Sequence, residues 1–442
     1  MLSCTKLVKK KSITLFSFKL ICTANLAFLF LFSGPLFSQK GPHKKPTKRD
    51  TSATQHYLEA EISGSYYINS NALTTELVNK FIYGGYISTS VKDRVKRKLA
   101  YSDRVGGDVD YGMNVTWKPD SLFHKKNLSV NFSMKDRLHY DAGFSRDFFK
   151  VVMYGNKSFA GETADLGNFT LNVLRYQQAR ISLEWEGDTA RGSYGVSASF
   201  LKGEKNLAID ADRASLSTSS DGTKIDLDLA MLMRQTDTAH TGIGAFNGYG
   251  VSTDFFYEFP YLTWYNEGIL RMEVNDLGFM QWNTNSVYYK VDSSYHYDGV
   301  SINNILDLKE HTLPSGNPDS IIKNNVKYGT EPYITILPAI FTVNATTYFG
   351  KKYIFEKGMR FRMKSNCKPF YYATFSWFPI RQFMISGTVA YGGYGNFNAG
   401  MELEYNFPKQ FRIHLDSYYL TGYLIPKNCS AQGITLSISK RF

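Results

Sequence analysis

The chain has 442 residues, 43% of them hydrophobic and 15% aromatic, with 31 Tyr and 32 Phe. Its formal charge of +12 is concentrated at one end: five lysines precede residue 39, five more basic residues lie between 40 and 49, and residues 51–442 carry only +3. A near-neutral body excludes a nucleic-acid binder, which needs a basic face on its folded part, and the four cysteines form no His/Cys cluster at metal-ligand spacing.

Residues 1–38 read as an export signal peptide. Lys6, Lys9, Lys10 and Lys11 precede an apolar run from Ile21 to Phe32, and Ser33, Gly34, Pro35 and Ser38 supply a cleavage region. The run falls short of the roughly 20 residues of a spanning helix, so cleavage rather than anchoring is expected. Cys4 and Cys22 leave with it, and Cys367 and Cys429 remain as a candidate disulfide in an oxidising compartment. Residues 39–56, basic and punctuated by Gly41, Pro42 and Pro46, read as a flexible leader.

Residues 57–107 break into two patterns. Ala72, Leu73, Leu77, Val78 and Phe81, spaced three and four apart within Asn71–Tyr83, predict a helix. Val91–Leu99 is strongly basic. The segment reads either as a short helical element that plugs a barrel or lies at its periplasmic mouth, or as an irregular first strand and loop.

From residue 108 to 442 the period is two. Val109, Tyr111, Met113, Val115 and Trp117 alternate with Asp110, Gly112, Asn114 and Thr116. The same alternation recurs around Leu128–Met134, Ile181–Trp185, Ile225–Met233, Met359–Met363, Phe397–Phe407 and Phe411–Leu415. Several of these runs reach ten or more residues, the length of a tilted membrane strand of about 9–11 residues rather than the soluble mode of about five or six. No second apolar run approaches helical spanning length, so a membrane protein with this sequence is a closed barrel. About 14 antiparallel strands, within 12–16, are expected: an all-β fold built as a single transmembrane β-barrel. Residues 292–332, with Pro314, Gly316 and Pro318, form the longest stretch without alternation and are read as a long outer loop.

The chain closes on Ile434, Leu436, Ile438 and Phe442 on one parity, with Thr435, Ser437, Ser439 and Arg441 on the other. An amphipathic last strand ending in an aromatic resembles the closing strand of bacterial outer-membrane barrels, which implies lipid on the apolar side and a wet interior on the other. With Phe442 in the periplasm, short turns at 350–352, 378–381 and 407–409 lie inside, and 364–369, 391–396 and 421–430 lie outside. Cys367 and Cys429 then share the outer rim.

Val274-Asn275-Asp276-Leu277-Gly278-Phe279-Met280-Gln281-Trp282-Asn283, with Gly248–Asp254 before it and Tyr391–Gly400 after it, resembles a signature of an uncharacterised family of Bacteroidota outer-membrane barrels. That family is similar in outline to long-chain fatty-acid transporters and to barrels that accompany type IX secretion. The resemblance covers roughly 240–442 and brings no catalytic residues. Physically, Asn275, Asp276 and Gly278 read as turn chemistry between strands Ile269–Val274 and Phe279–Tyr289, with Phe279 and Trp282 as interfacial anchors.

Catalysis finds no constellation. His414, Asp416 and Ser417 are adjacent on one strand, and a triad needs convergence rather than adjacency. There is no phosphate loop, cofactor motif or metal site. The polar parity carries the candidate lumen-facing charges Asp110, Lys135, Arg180, Glu184, Glu186, Asp226, Asp228, Arg360, Arg362, Glu402, Glu404, Arg412, His414, Asp416 and Arg441. They line a solute path or pair to fill the lumen. The expected function is a bacterial outer-membrane channel or transporter for a small, hydrophobic solute, with outer-membrane lipid and lipopolysaccharide as surroundings. The alternative is a structural or secretion-accessory barrel that binds other envelope proteins.

Overall fold

The computed structural model describes residues 56–187, 192–240, 242–262, 266–298 and 326–442. The predicted signal peptide and all of the leader except His56 lie outside them. In chain order the elements are β1 (Tyr57–Ser70), α1 (Thr75–Tyr83), α2 (Thr89–Lys96), β2 (Ser102–Lys118), β3 (Leu128–Ser145), α3 (Arg146–Tyr154), β4 (Thr163–Asp165), β5 (Phe169–Trp185), β6 (Ser193–Thr218) and β7 (Lys224–Gln235). There follow β8 (Gly248–Leu262), β9 (Glu267–Trp282), β10 (Val287–Asp298), β11 (Val326–Thr330), β12 (Ile334–Ile336), β13 (Ile340–Phe349), β14 (Tyr353–Arg362) and β15 (Lys368–Ile380). The chain ends with β16 (Phe383–Gly393), β17 (Phe397–Phe407), β18 (Phe411–Ser417), α4 (Thr421–Leu424) and β19 (Ala431–Arg441).

The wall is a closed antiparallel barrel of 14 strands: β1, β2, β3, β5, β6, β8, β9 and β13 to β19. β1 closes it against β19 in unbroken register from Glu59↔Arg441 to Asn69↔Ala431. Closure leaves no unpaired edge, the condition for crossing hydrocarbon with strands. One end carries the tight connections at 350–352, 381–382 and 408–410; the other carries the helices and longer loops.

Side chains sort across this wall as the period-two pattern predicts. Met113 is 49% exposed, Phe132 46% and Ile181 55% on the outside, while Asp110, Ser133, Arg180, Glu402 and Ser437 are buried within. Apolar residues outside and ion pairs inside invert the usual soluble arrangement, as an outward apolar band demands.

β6 belongs to two sheets. Its first part, Ser193–Gly203, pairs with β8 in the wall. Its second part, Leu207–Thr218, pairs with β7. β7 pairs in turn with β10, and β10 with β11, so a small sheet projects beyond the loop-bearing end. Two sequence-based expectations change here. Asp226 and Asp228 do not face the lumen: they lie on the projecting β7, where Asp226 pairs with His296 and Asp228 with Arg213. Alternation is the same in a wall strand and in a projecting ribbon, so parity alone does not separate them. The expected loop 292–332 is strand at 292–298 and 326–330, and 299–325 lies outside the described residues.

The predicted N-terminal helix is α1. Thr74 caps it, its hydroxyl accepting from the Leu77 amide at 3.4 Å. Ser145 does the same for α3, accepting from Phe148 N at 3.0 Å. Ala72, Leu77, Val91, Val95 and Leu99 pack with Phe144, Phe149 and Met153 into one core. This element neither plugs the barrel nor sits at the tight-turn mouth. It caps the loop-bearing end, since β1 and β19 together deliver Ser70 there, and Thr75 N and Glu76 N bind the carbonyls of Cys429 and Pro426 at 2.8 and 3.0 Å. Helical spacing in a sequence identifies the helix and says nothing about which rim receives it.

Candidate functional site

The middle of the lumen is occupied by paired charge. Arg137 on β3 reaches Asp276 on β9 at 2.6 Å and Asp110 on β2 at 3.3 Å. Arg180 on β5 reaches Asp254 on β8 at 2.9 Å and Asp276 at 3.3 Å. Gln178 donates to the same Asp276 oxygen at 3.1 Å. Asp276 is thus the hub of a layer that ties five strands across the barrel. Buried charges persist in low dielectric only when paired and hydrogen-bonded in this way.

The shape of β9 makes the hub. Asp276 has φ 59°, in the left-handed region, which Asp tolerates better than most residues. Opposite it the β8–β9 register slips between Thr253 and Phe255, and the Asp276 amide donates to Asp254 at 2.7 Å. Gly278 follows because a Cβ there would lie 2.1 Å from the Val251 carbonyl oxygen. The expected turn at Asn275, Asp276 and Gly278 is therefore a bulge inside one continuous strand. Trp282 is not an interfacial anchor. It is 1% exposed, faces inward, and donates to Thr335 Oγ1 at 2.9 Å. Phe279 does face outward.

Next to this layer the chain between β12 and β13 steps into the lumen. Leu337 is fully buried among Leu174, Tyr176, Leu201, Met280 and Trp282. Pro338 lines a small space together with Asp108, Asp110, Arg137, His139, Asp276 and Arg362. Arg362 grips Asp108 with both terminal nitrogens at 2.9 and 2.6 Å, and His139 Nδ1 meets the same carboxylate at 2.6 Å.

On the other side of Arg362, toward the loop-bearing end, lies a larger cavity, part of it open to solvent. Tyr67, Phe370, Tyr394, Tyr418 and Tyr419 supply its apolar walls, and Arg360, Arg362 and Asp416 its polar side. The rings pack on one another: Tyr67 stacks on Tyr419 at 5.5 Å and Phe370 meets Tyr418 edge-on at 6.1 Å.

Of the sequence-predicted charges, Arg360, Arg362 and Asp416 are brought together around this cavity. Glu402, Glu404, Arg412 and His414 lie nearer the tight-turn end. His414 pairs with Glu402 at 2.9 Å, Asn406 donates to Glu404 at 2.7 Å, and Arg412 reaches Glu59 at 3.0 Å. Asp108, Arg137 and His139 are further inward charges that share the parity of Asp110 and Lys135 one or two steps along, and Asp254 lies on β8, where the sequence reading names no charge.

Cys367 and Cys429, the candidate disulfide pair, are both free thiols in this structure. A shared rim does not bring two Cβ atoms within bridging distance. Burial pushes the Cys367 thiol up to about 11. The thiolate is the reactive form, so iodoacetamide at pH 8 is expected to modify Cys367 slowly, with the rate climbing as pH rises toward that value. Timed alkylation read by mass spectrometry checks this, and complete modification of the folded barrel within minutes at pH 8 contradicts it.

A family of unknown function, DUF5723, matches residues 61–416, which include every wall strand except β19, the start of β1 and the last residue of β18. The chain belongs to that family. No curated protein matches it. Among solved structures, this DUF5723 barrel is similar to a TodX deltaS2S3 mutant monoaromatic hydrocarbon channel, at 8% identity and TM-score 0.41, covering 87% of this chain and 90% of the other. It is similar also to a Pseudomonas aeruginosa FadL homologue, at 7% identity and TM-score 0.39 over 88% and 90%. The Pseudomonas putida toluene transporter TodX follows at 8% identity and TM-score 0.38 over 87% of each chain. Among the described residues no group of three or more His, Cys, Asp or Glu is arranged to hold a metal.

Proposed function

We propose that this barrel is a passive channel or transporter of the bacterial outer membrane for a small, largely apolar solute, with its loop-bearing end facing outward. The observation that carries the reading is the cavity beneath that end, walled by Tyr67, Phe370, Tyr394, Tyr418 and Tyr419. A site lined by rings with a few convergent polar groups suits a small apolar molecule. In this reading Arg360, Arg362 and Asp416 orient the solute at the cavity's polar side, and Glu402, Glu404, Arg412 and His414 line the continuation toward the periplasm. The ion-pair layer around Asp276 is the barrier between them.

The test uses the full barrel in detergent with N-phenyl-1-naphthylamine as the probe, and the same protein in planar bilayers. Saturable fluorescence enhancement is expected, weakened about tenfold by Phe370→Ala combined with Tyr418→Ala. Non-saturable enhancement that this double variant leaves unchanged, together with silence in bilayers under every condition tried, overturns the reading.

A further inference from the structure

The cap at the loop-bearing end does more than close the rim. α1 lies against the lipid-facing side of the wall: Gln432, on the same parity as Ile434, donates to Asn79 at 2.8 Å and is almost wholly covered. Beside it, Tyr66 of β1, paired in register with Ile434, shares a hydroxyl contact with Tyr423. The outward apolar band of Ile62, Ile434 and Ile438 therefore continues upward without a break onto α1 and α4.

There it ends in large apolar side chains that stay exposed among the described residues. Tyr83 is 56% exposed, Tyr86 83%, Leu424 71% and Ile425 51%. An exposed apolar patch continuous with a lipid-facing band sits at the height of the interface, where amphipathic rings and aliphatic chains meet headgroups and acyl tails.

The same corner is basic. Between residues 71 and 99 six basic side chains stand against two acidic ones, and both acids are engaged, Glu76 by Arg94 at 2.5 Å and Asp93 by the Tyr154 hydroxyl at 2.7 Å. Lys98 reaches across to the Asn428 carbonyl, next to the exposed Lys427. Burial lowers the affinity of Lys98 for its proton. A nearby anion offsets that cost.

We propose that this corner of the cap, at the seam of β1 and β19, binds a phosphate-bearing anionic lipid of the outer leaflet. Lys98 and Lys427 hold its phosphate, and Tyr83, Tyr86, Leu424 and Ile425 lie among its acyl chains. The charges alone would hold any polyanion and the apolar patch alone any acyl chain; their adjacency selects a molecule that has both. The inference requires the loop-bearing end to face the outer leaflet but is independent of what the lumen carries, so failure of the transport reading leaves it standing.

The test is native mass spectrometry of the full barrel in a neutral detergent, titrated with lipid A, with phosphatidylcholine and with inorganic phosphate. Retention of lipid A at least tenfold above phosphatidylcholine is expected. Lys98→Glu combined with Lys427→Glu should abolish that preference while heat-modifiable gel migration stays intact. Leu424→Ser combined with Ile425→Ser should lower retention of both lipids. Equal retention of lipid A and phosphatidylcholine by the unaltered barrel overturns the proposal. So does a charge-reversed barrel that folds and still prefers lipid A, and so does displacement of lipid A by equimolar inorganic phosphate, which would show a phosphate site without a lipid surface.

Discussion

Replacing Asp276 with alanine will cost the folded barrel about 3–5 kcal/mol, the range for removing one partner of a buried ion pair. Asp276 serves Arg137 at 2.6 Å, Arg180 at 3.3 Å and Gln178 at 3.1 Å. Without it Arg137 keeps Asp110 at 3.3 Å and the neutral Gln178 Oε1 at 3.1 Å, and Arg180 keeps Asp254 at 2.9 Å. Two guanidinium groups inside the barrel then share less negative charge than they need. Alanine is also a poorer residue for the φ of 59° found there. Asp276→Asn separates the two contributions, because it keeps a short polar side chain suited to that backbone and removes only the charge. Urea unfolding in vesicles, followed by heat-modifiable migration, measures both. A loss under 1 kcal/mol for the alanine variant would show that the hub is not what holds these strands in register. A double-mutant cycle with Arg137→Met isolates the coupling between the pair.

Tyr394→Ala will be comparably costly, about 3–5 kcal/mol by analogy with buried ring deletions, and it will also change permeability. The ring is 1% exposed and stands on Gly106, where a Cβ would come within 2.3 Å of its Cζ. It is a wall of the larger cavity. Deleting it merges that cavity with the space the ring fills. Gly106→Val attacks the same contact from the other side: the ring must leave, because a side chain and the ring cannot share that volume. Both variants are expected to raise conductance in planar bilayers several-fold over the unaltered barrel. Tyr394→Phe, which keeps the ring in place, should leave conductance near the starting level. An unchanged conductance in both Tyr394→Ala and Gly106→Val, in barrels shown to be folded, removes Tyr394 from any gating role.

The barrel was largely legible in the sequence because one physical constraint writes it everywhere. A strand with lipid on one side and packed charge on the other must alternate, and the series Val109–Trp117 and Phe397–Phe407 show it residue by residue. The number of wall strands, 14, and the order of tight and long connections follow from the same period. What parity hid lies where the period breaks. Asp276 sits on a bulge, whose residues carry the same composition as a turn between two strands. An aromatic near a turn suits an interface, but beyond the bulge Trp282 faces inward. Asp226 and Asp228 alternate correctly on a strand that has left the wall. The cavity gave no signal of its own, because Tyr67, Phe370, Tyr394 and Tyr418 come from four separate segments and meet only after closure.

The sharing of β6 between two sheets has a mechanical corollary. A single strand of 26 residues runs from the wall into the projecting sheet, so no flexible joint separates the two. Force applied to β7 or β10 passes along one continuous backbone to the strands that flank Asp254 and Asp276. Trimming the projection would in turn strip one ladder partner from Leu207–Thr218, leaving a bare strand edge beyond the barrel wall and a tendency for neighbouring molecules to adhere there.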